Sequence, residues 1–335
     1  MMTDDEKRKF LHELIDQASV AELDSIISAI KSLPEPEKKD TGLLACPYCG
    51  SERIYRNGKT KGRNRQRYLC RDCGQTYLET TGTPAFHSYC GMEEWEMVIR
   101  DTVYNIPLDK TAEKIGVNHT TAFNMRHKIL CAIEEDAKSN QVILGNDSDV
   151  CELDETFVLE SYKGKKLADD FWRRPRRHGA KAASRGLSDE QVCICAGIDG
   201  SGSSIVHTVN RATPSSDELK QVFAGRLQKD TVVLADGGKG YPAMAKNCGY
   251  NLVNAKAEGC TYDLNRINGL HSYIKRTYNQ KYNGVATKYL NRYNALFALA
   301  YTDKEKAIEY IYSLIKTQVG HRSVADTRTE GLLEI

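Results

Sequence analysis

The 335-residue chain is 40% apolar and 27% charged, with a net charge of +2. Such a composition describes folded material of two or three domains and excludes a low-complexity or disordered chain. No apolar run approaches the length of a membrane span, and no secretory leader is expected. The overall charge says nothing about partners, but its distribution does. Eight Lys or Arg and no acid fall between Arg53 and Arg71, and nine fall between Lys163 and Arg185 against Asp169 and Asp170. Basic runs of this kind attract polyanions or simply form solvated faces. Of the eleven cysteines only four are paired in spacing, which points to a reducing environment rather than a disulfide framework.

In chain order, residues 4–33 read as two short amphipathic helices, with Phe10, Leu11, Leu14 and Ile15, then Leu23, Ile26, Ile27 and Ile30 as apolar positions. The "PEPEKKDTG" that follows is a linker by composition. Next come "CPYC" at 46–49 and "CRDC" at 70–73. Two thiolate pairs, each followed by a glycine, suit a closed tetrahedral zinc site made by Cys46, Cys49, Cys70 and Cys73. With four sulfur ligands the metal would be structural, and a module of this size has too little core to be stable otherwise. The basic run lies between the knuckles with Tyr55 and Tyr68 interleaved, so Arg63, Arg65 and Arg67 are candidate DNA contacts.

The stretch "LDKTAEKIGVNHTTAFNMRHKIL" reads as helix, turn at Gly116–Asn118, and helix. Its Ala112–Gly116 spacing suits a tight helical crossing, and Thr120, Thr121, Asn124, Arg126 and Lys128 are side chains able to meet DNA. From 150 onward the texture changes to short strands, "VCELDETFVL", "QVCICAGI", "SIVHTV" and "TVVLA", with helices between some of them and a helical end from 264 to about 318. Cys193 and Cys195 alternate in an apolar pattern and read as core.

Two acids sit on these strands. In "VCELDETFVL", Glu152, Asp154 and Thr156 share one face, which is either the wet face of an edge strand or a site where the acids are paired or metal-bound. Asp236 ends the apolar strand "TVVLA" before two glycines, a position for a ligand-binding acid at a strand's carboxyl end or for a plain Asp-Gly turn. Later, "NRINGLHSYIKR" read as a helix places Ile267, Leu270 and Ile274 on one stripe and Asn268, His271 and Lys275 on the next. Two carboxylates from separate strands can hold Mg²⁺ ions for phosphodiester transfer.

The paired cysteines together with "ELDETF", "RRHGAKAASRGLSDEQVCICAGIDGSG", "LADGGKGY" and "LNRINGLHSYIKRTYNQKYNGVATKYLNRYNALF" make a specific set. In them the chain resembles the ISXO-type insertion-sequence transposases over roughly residues 43–300. The resemblance implies an α/β, RNase H-like catalytic domain with a mixed sheet and flanking helices, preceded by a zinc ribbon and a helix-turn-helix. The expected division is a helical region and linker at 1–40, ribbon at 41–85, helix-turn-helix at 86–147, catalytic domain at 148–320 and tail at 321–335. It further implies Asp154, Asp236 and Asn268 as ligands of Mg²⁺ or Mn²⁺, Lys275 on the scissile phosphate and His271 between them. Many relatives carry Glu where Asn268 stands and a subset carries Asn; Glu258 and Asp263 are the alternative third ligands. The basic insertion, with Trp172, Arg176 and Arg177, is a solvated loop or a DNA contact.

The activity so implied is cleavage at transposon ends and transfer of a 3′-hydroxyl into target DNA, with double-stranded DNA as partner and no membrane. A homodimer or higher oligomer and a prokaryotic cytoplasmic location, at the nucleoid when bound, go with it. The rival is a domesticated DNA-binding protein or repressor without catalysis.

Overall fold

The computed structural model describes residues 45–61, 64–146, 150–164, 188, 190–317, 325–329 and 332–333. The segment 4–33, expected from sequence to form two helices, lies outside these residues, as do Arg63, Trp172, Arg176, Arg177 and most of the tail. The chain divides into two compact units, Met1–Glu79 and Thr80–Ile335.

The first unit is a three-stranded antiparallel sheet of β1 (Ile54–Lys59), β2 (Gln66–Cys70) and β3 (Thr76–Leu78), with β2 in the middle. Its core is small: Cys46, Tyr68, Cys70 and Tyr77, with Ile54 packed against them. The two cysteine turns share one construction. Gly50 N–H donates to the Cys46 carbonyl at 2.9 Å, and Gly74 N–H donates to that of Cys70 at 3.0 Å. Both glycines are left-handed, with φ of 72° and 69°, a conformation costly for other residues and the reason glycine follows each pair.

The second unit begins with α1 (Met92–Val103), α2 (Leu108–Ile115) and α3 (His119–Ser139). Then come β4 (Val150–Leu159), β5 (Gln191–Asp199), β6 (Ser204–Thr208), α4 (Ser216–Phe223), β7 (Val232–Ala235), α5 (Gly240–Cys248) and β8 (Asn251–Asn254). It closes with α6 (Asn265–Arg276), α7 (Leu290–Ala300), α8 (Lys304–Thr317) and the short α9 (Asp326–Thr329). The strands form one mixed sheet in the order β6-β5-β4-β7-β8. β4, β5 and β6 are antiparallel neighbours, whereas β7 and β8 run parallel to β4. This mixed sheet with helices on its faces is the RNase H-like architecture.

Strand alternation decides the layers. Val192, Ile194, Ala196 and Ile198 of β5 face the core made with α1, α3, α6, α7 and α8. Cys193 and Cys195 face the other core, where Cys151, Leu153, Val233 and Ala235 meet α4 and α5. Both cysteines are core residues, as their alternation suggests.

Two expectations about domains need correcting. Residues 80–85 belong with the second unit, not with the ribbon. The helical stretch 86–147 is no domain of its own, because α1 and α3 share one core with the sheet and the C-terminal helices. From Met125 to Ile133 every residue of α3 is buried. A helix covered on all sides belongs to the interior of a larger unit.

Candidate active site and zinc ribbon

Asp154 lies on β4, on the same face as Glu152, as the alternation requires. In the parallel register Val150 faces Val232, Cys151 faces Val233 and Glu152 faces Leu234. Continued by two residues, that register sets Asp154 level with Asp236, just past the end of β7, one strand spacing of about 4.8 Å away. Half-buried beside a second acid, the Asp154 carboxyl is pushed up to about 7; desolvation is the largest cause, followed by the charges of Asp236 and Glu155. A carboxylate whose charge is disfavoured by acidic neighbours is a position that suits a bound cation.

The loop after Asp236 is shaped for close approach. Gly237 has φ of 88°, and a Cβ there would meet the Asn254 side chain at 2.9 Å. Gly238 N–H donates to Asp236 Oδ1 at 3.2 Å. Tyr241, on α5, donates its hydroxyl to Glu155 Oε2 at 3.0 Å. Glu155 thus sits on the opposite face of β4 from Asp154, tied to the first turn of α5, which follows the loop that carries Asp236.

Helix α6 crosses β4 and β5, and one buried acid attaches it. Glu152 Oε2 accepts from the backbone N–H of Ile267 at 2.9 Å, and Oε1 accepts from Arg266 at 3.1 Å. Ile267 is in the first turn of α6, whose N–H groups lack helical partners, so a carboxylate there both caps the helix and suits its dipole. Glu152 was visible in sequence only as a face-mate of Asp154; its role as the clasp on α6 needs a partner 115 positions away.

The clasp seats α6 so that one member of its polar stripe, His271, meets Asp154. His271 is buried, with Nδ1 at 3.6 Å from Asp154 Oδ2. Burial, then the nearby Lys275, pushes its imidazole down to about 4, so it is neutral near pH 7. Its Nε2 is buried with no hydrogen-bond partner among the described residues. Asn268, one turn earlier, and Lys275, one turn later, are exposed. Of the alternative third ligands, Glu258 is exposed, and Asp263 accepts from Asn265 N–H at 3.3 Å ahead of α6. Two carboxylates and an amide on the neighbouring helix are oxygen donors of the kind hard divalent ions take.

In the first unit the four cysteine sulfurs lie within 4.8 Å of one another, with Cys46–Cys73 at 3.7 Å and Cys49–Cys70 at 3.6 Å. A tetrahedron with Zn–S bonds near 2.3 Å has edges of about 3.8 Å. The donors and their spacing fit zinc.

The comparisons follow the same line. Residues 43–74 match the zinc-ribbon family model described as the InsA N-terminal domain. Over 260 residues the chain is 23% identical to "Uncharacterized protein in transposable element ISH50" of Halobacterium salinarum, covering 76% of this chain and 84% of that one. The chain is related to transposable-element proteins. Among solved structures, a pre-cleavage Mos1 transpososome overlaps with a TM-score of 0.24 at 11% identity, over 63% of this chain and 74% of that one. The Mos1 strand transfer complex does so at 0.21 and 9%, over 64% and 74%. Both likenesses are weak.

The candidate DNA contacts expected from sequence fall in both units. On the ribbon Arg67 is exposed and Arg65 half-buried, joined by exposed Arg56 and Lys59 on β1. The Arg71 guanidinium stacks on Tyr55 at 3.9 Å from the ring centre. In the second unit α2 ends at left-handed Gly116, and Asn118 caps α3 by accepting from Thr121 N–H at 2.7 Å. The helix-turn-helix backbone expected from sequence is present. Thr120 is exposed and Thr121 half-buried; Asn124, also half-buried, accepts from Arg328 at 2.9 Å.

Arg126 and Lys128 are corrections. Arg126 is 1% exposed and donates to the Ile106 carbonyl, whereas Lys128 is 8% exposed and donates to that of Phe86. Both cations hold loops of the helical layer instead of presenting charge to a ligand. Among the described residues no helix is long and apolar enough to cross a membrane.

Proposed function

We propose that the chain is an insertion-sequence transposase that cleaves a DNA strand at transposon ends and joins the freed 3′-hydroxyl to target DNA, using Mg²⁺ or Mn²⁺. The observation that supports this reading is the register of β4 and β7, which continued by two residues sets Asp154 level with Asp236, together with His271 of α6 at 3.6 Å from Asp154. Divalent ions bound there would polarise the attacking oxygen and stabilise the leaving one.

The side chains divide the work. Asp154 and Asp236 supply the negative charge that holds the ions. Asn268 offers a neutral oxygen and fixes geometry, since an amide coordinates without neutralising. One charge fewer at about 4 Å amounts to roughly 4 kcal/mol at an effective dielectric near 20, so this site leans on its two acids. Neutral His271, packed against Asp154, keeps that carboxylate aimed and bars water from beneath it. Lys275, exposed one turn on, pairs with a backbone phosphate of the strand being cut. The ribbon with its structural zinc supplies salt-sensitive phosphate contacts through Arg63, Arg65 and Arg67, and the start of α3, with Thr120, Thr121 and Asn124, supplies base preference. Arg176 and Arg177 in the basic insertion extend the DNA surface, and two copies bring two DNA ends together.

The test is metal-dependent cleavage and strand transfer on a DNA end. Asp154→Asn and Asp236→Asn should abolish both steps while DNA binding persists; Asn268→Ala should cost less, because water can replace a neutral oxygen. Wild-type protein that binds DNA ends yet never nicks them with Mg²⁺ or Mn²⁺ would favour the repressor reading, for which Asn268 in place of an acid is the supporting observation.

A further inference from the structure

The group in contact with Asp236 is a lysine that no sequence pattern marks. Lys256 follows β8 in a turn fixed to the neighbouring strand. Ala255 N–H donates to the Ala235 carbonyl at 2.9 Å, Lys256 N–H to Asn254 Oδ1 at 2.9 Å, and Ala257 N–H to the Asn254 carbonyl at 3.1 Å. The backbone of Lys256 is thereby anchored one residue away from Asp236. From it the ammonium reaches 2.8 Å from Asp236 Oδ2, although the side chain is 69% exposed. Asp236 Oδ1 accepts from Gly238 N–H, so both oxygens of this acid are engaged.

An ammonium and a divalent ion cannot comfortably share Oδ2, since like charges a few ångströms apart repel. Asp236 must therefore exchange one cation for another. A lysine suits such an exchange: its charge is compact, well hydrated and carried on a flexible four-carbon stem, without the planar fork that makes arginine–carboxylate pairs persistent. Once released, the ammonium can move only within a side chain's length of the anchored turn. Asp154 and Glu155 already act on the ammonium from nearby, and once ions occupy these acids the phosphate drawn to the ions is the anion left for it within that radius.

We propose that Lys256 is a resident counter-cation: it balances Asp236 before divalent ions bind, yields Oδ2 to them, and then pairs with the phosphate of the strand being cut. The inference rests on the metal-dependent reading above. It requires that Lys256 compete with metal and assist DNA, whereas a structural ion pair would support both or neither.

The experiment measures free Mn²⁺ by electron paramagnetic resonance during titration of the full chain without DNA, for wild type, Lys256→Met and Asp236→Asn. Steady-state cleavage of a DNA end follows for wild type and Lys256→Met. Lys256→Met should bind Mn²⁺ about two- to fivefold more tightly, the scale of one exposed ion pair. In cleavage its KM for DNA should rise more than its kcat falls. Equal or weaker Mn²⁺ binding by Lys256→Met, when Asp236→Asn has lost the wild-type binding, would overturn the role of Lys256 and leave the metal site standing. If Asp236→Asn binds Mn²⁺ as wild type does, the metal-dependent reading falls and the counter-cation with it.

Discussion

Replacing Glu152 tests whether one carboxylate holds the active-site helix in place. In Glu152→Ala the Ile267 N–H, buried in the first turn of α6, loses its acceptor, and exposed Arg266 loses its partner. A hydrogen bond to a charged acceptor contributes about 1.5–3 kcal/mol. The Arg266 pair, with the arginine side chain 52% exposed, adds about 1 kcal/mol at most. Together these give a loss of roughly 3 kcal/mol, or about 6–12 °C in Tm at the 2–4 °C per kcal/mol usual for a unit of this size. Glu152→Gln keeps an acceptor for the N–H and should lose only about a third of that. Because α6 carries Asn268 and His271, its displacement should also weaken Mn²⁺ binding in molecules that are still folded. Thermal unfolding with Mn²⁺ titration well below the transition checks both effects. A Glu152→Ala protein that melts with wild type, or a Glu152→Gln protein as damaged as the alanine variant, would refute the clasp.

Two further outcomes are expected. Purified protein should carry near-stoichiometric zinc by elemental analysis, and Cys70→Ser should lose it, since the other three sulfurs cannot close the tetrahedron; full retention of zinc by that variant would reject the site. His127, enclosed by Phe123, Tyr289 and Tyr293, is pushed down to about 3 by burial and then by nearby arginines. Its folded pKa lies below the unfolded value near 6.5, so both states are neutral above that pH and only the unfolded state gains a proton just below it. Stability should therefore fall as pH drops from about 6.5 toward 3, with this one group accounting for about 2 kcal/mol by pH 5. Denaturant unfolding across that window should show His127→Phe with a flatter profile, and an unchanged slope would exclude His127 as the source.

What the sequence by itself determined here is what local spacing can encode. The cysteine pairs with their glycines, the alternation that puts Asp154 on one face of β4, and the 3.6-residue stripe of Asn268, His271 and Lys275 are properties of neighbours along the chain. The turn at Gly116 was legible for the same reason. Tertiary structure decided which faces are covered and by what. Arg126 and Lys128 look like cations on a recognition helix until the packed fold buries α3 and gives them the carbonyls of Ile106 and Phe86. No local pattern distinguishes an exposed helical arginine from one that reaches a carbonyl 20 residues away. Glu152 and Lys256 show the converse. Each is an ordinary residue in its own segment, and each acquires its role from a partner brought near by the parallel β4-β7-β8 register or by the seating of α6. Periodicity reports the direction in which a side chain leaves the backbone; only the packed fold determines what it meets there.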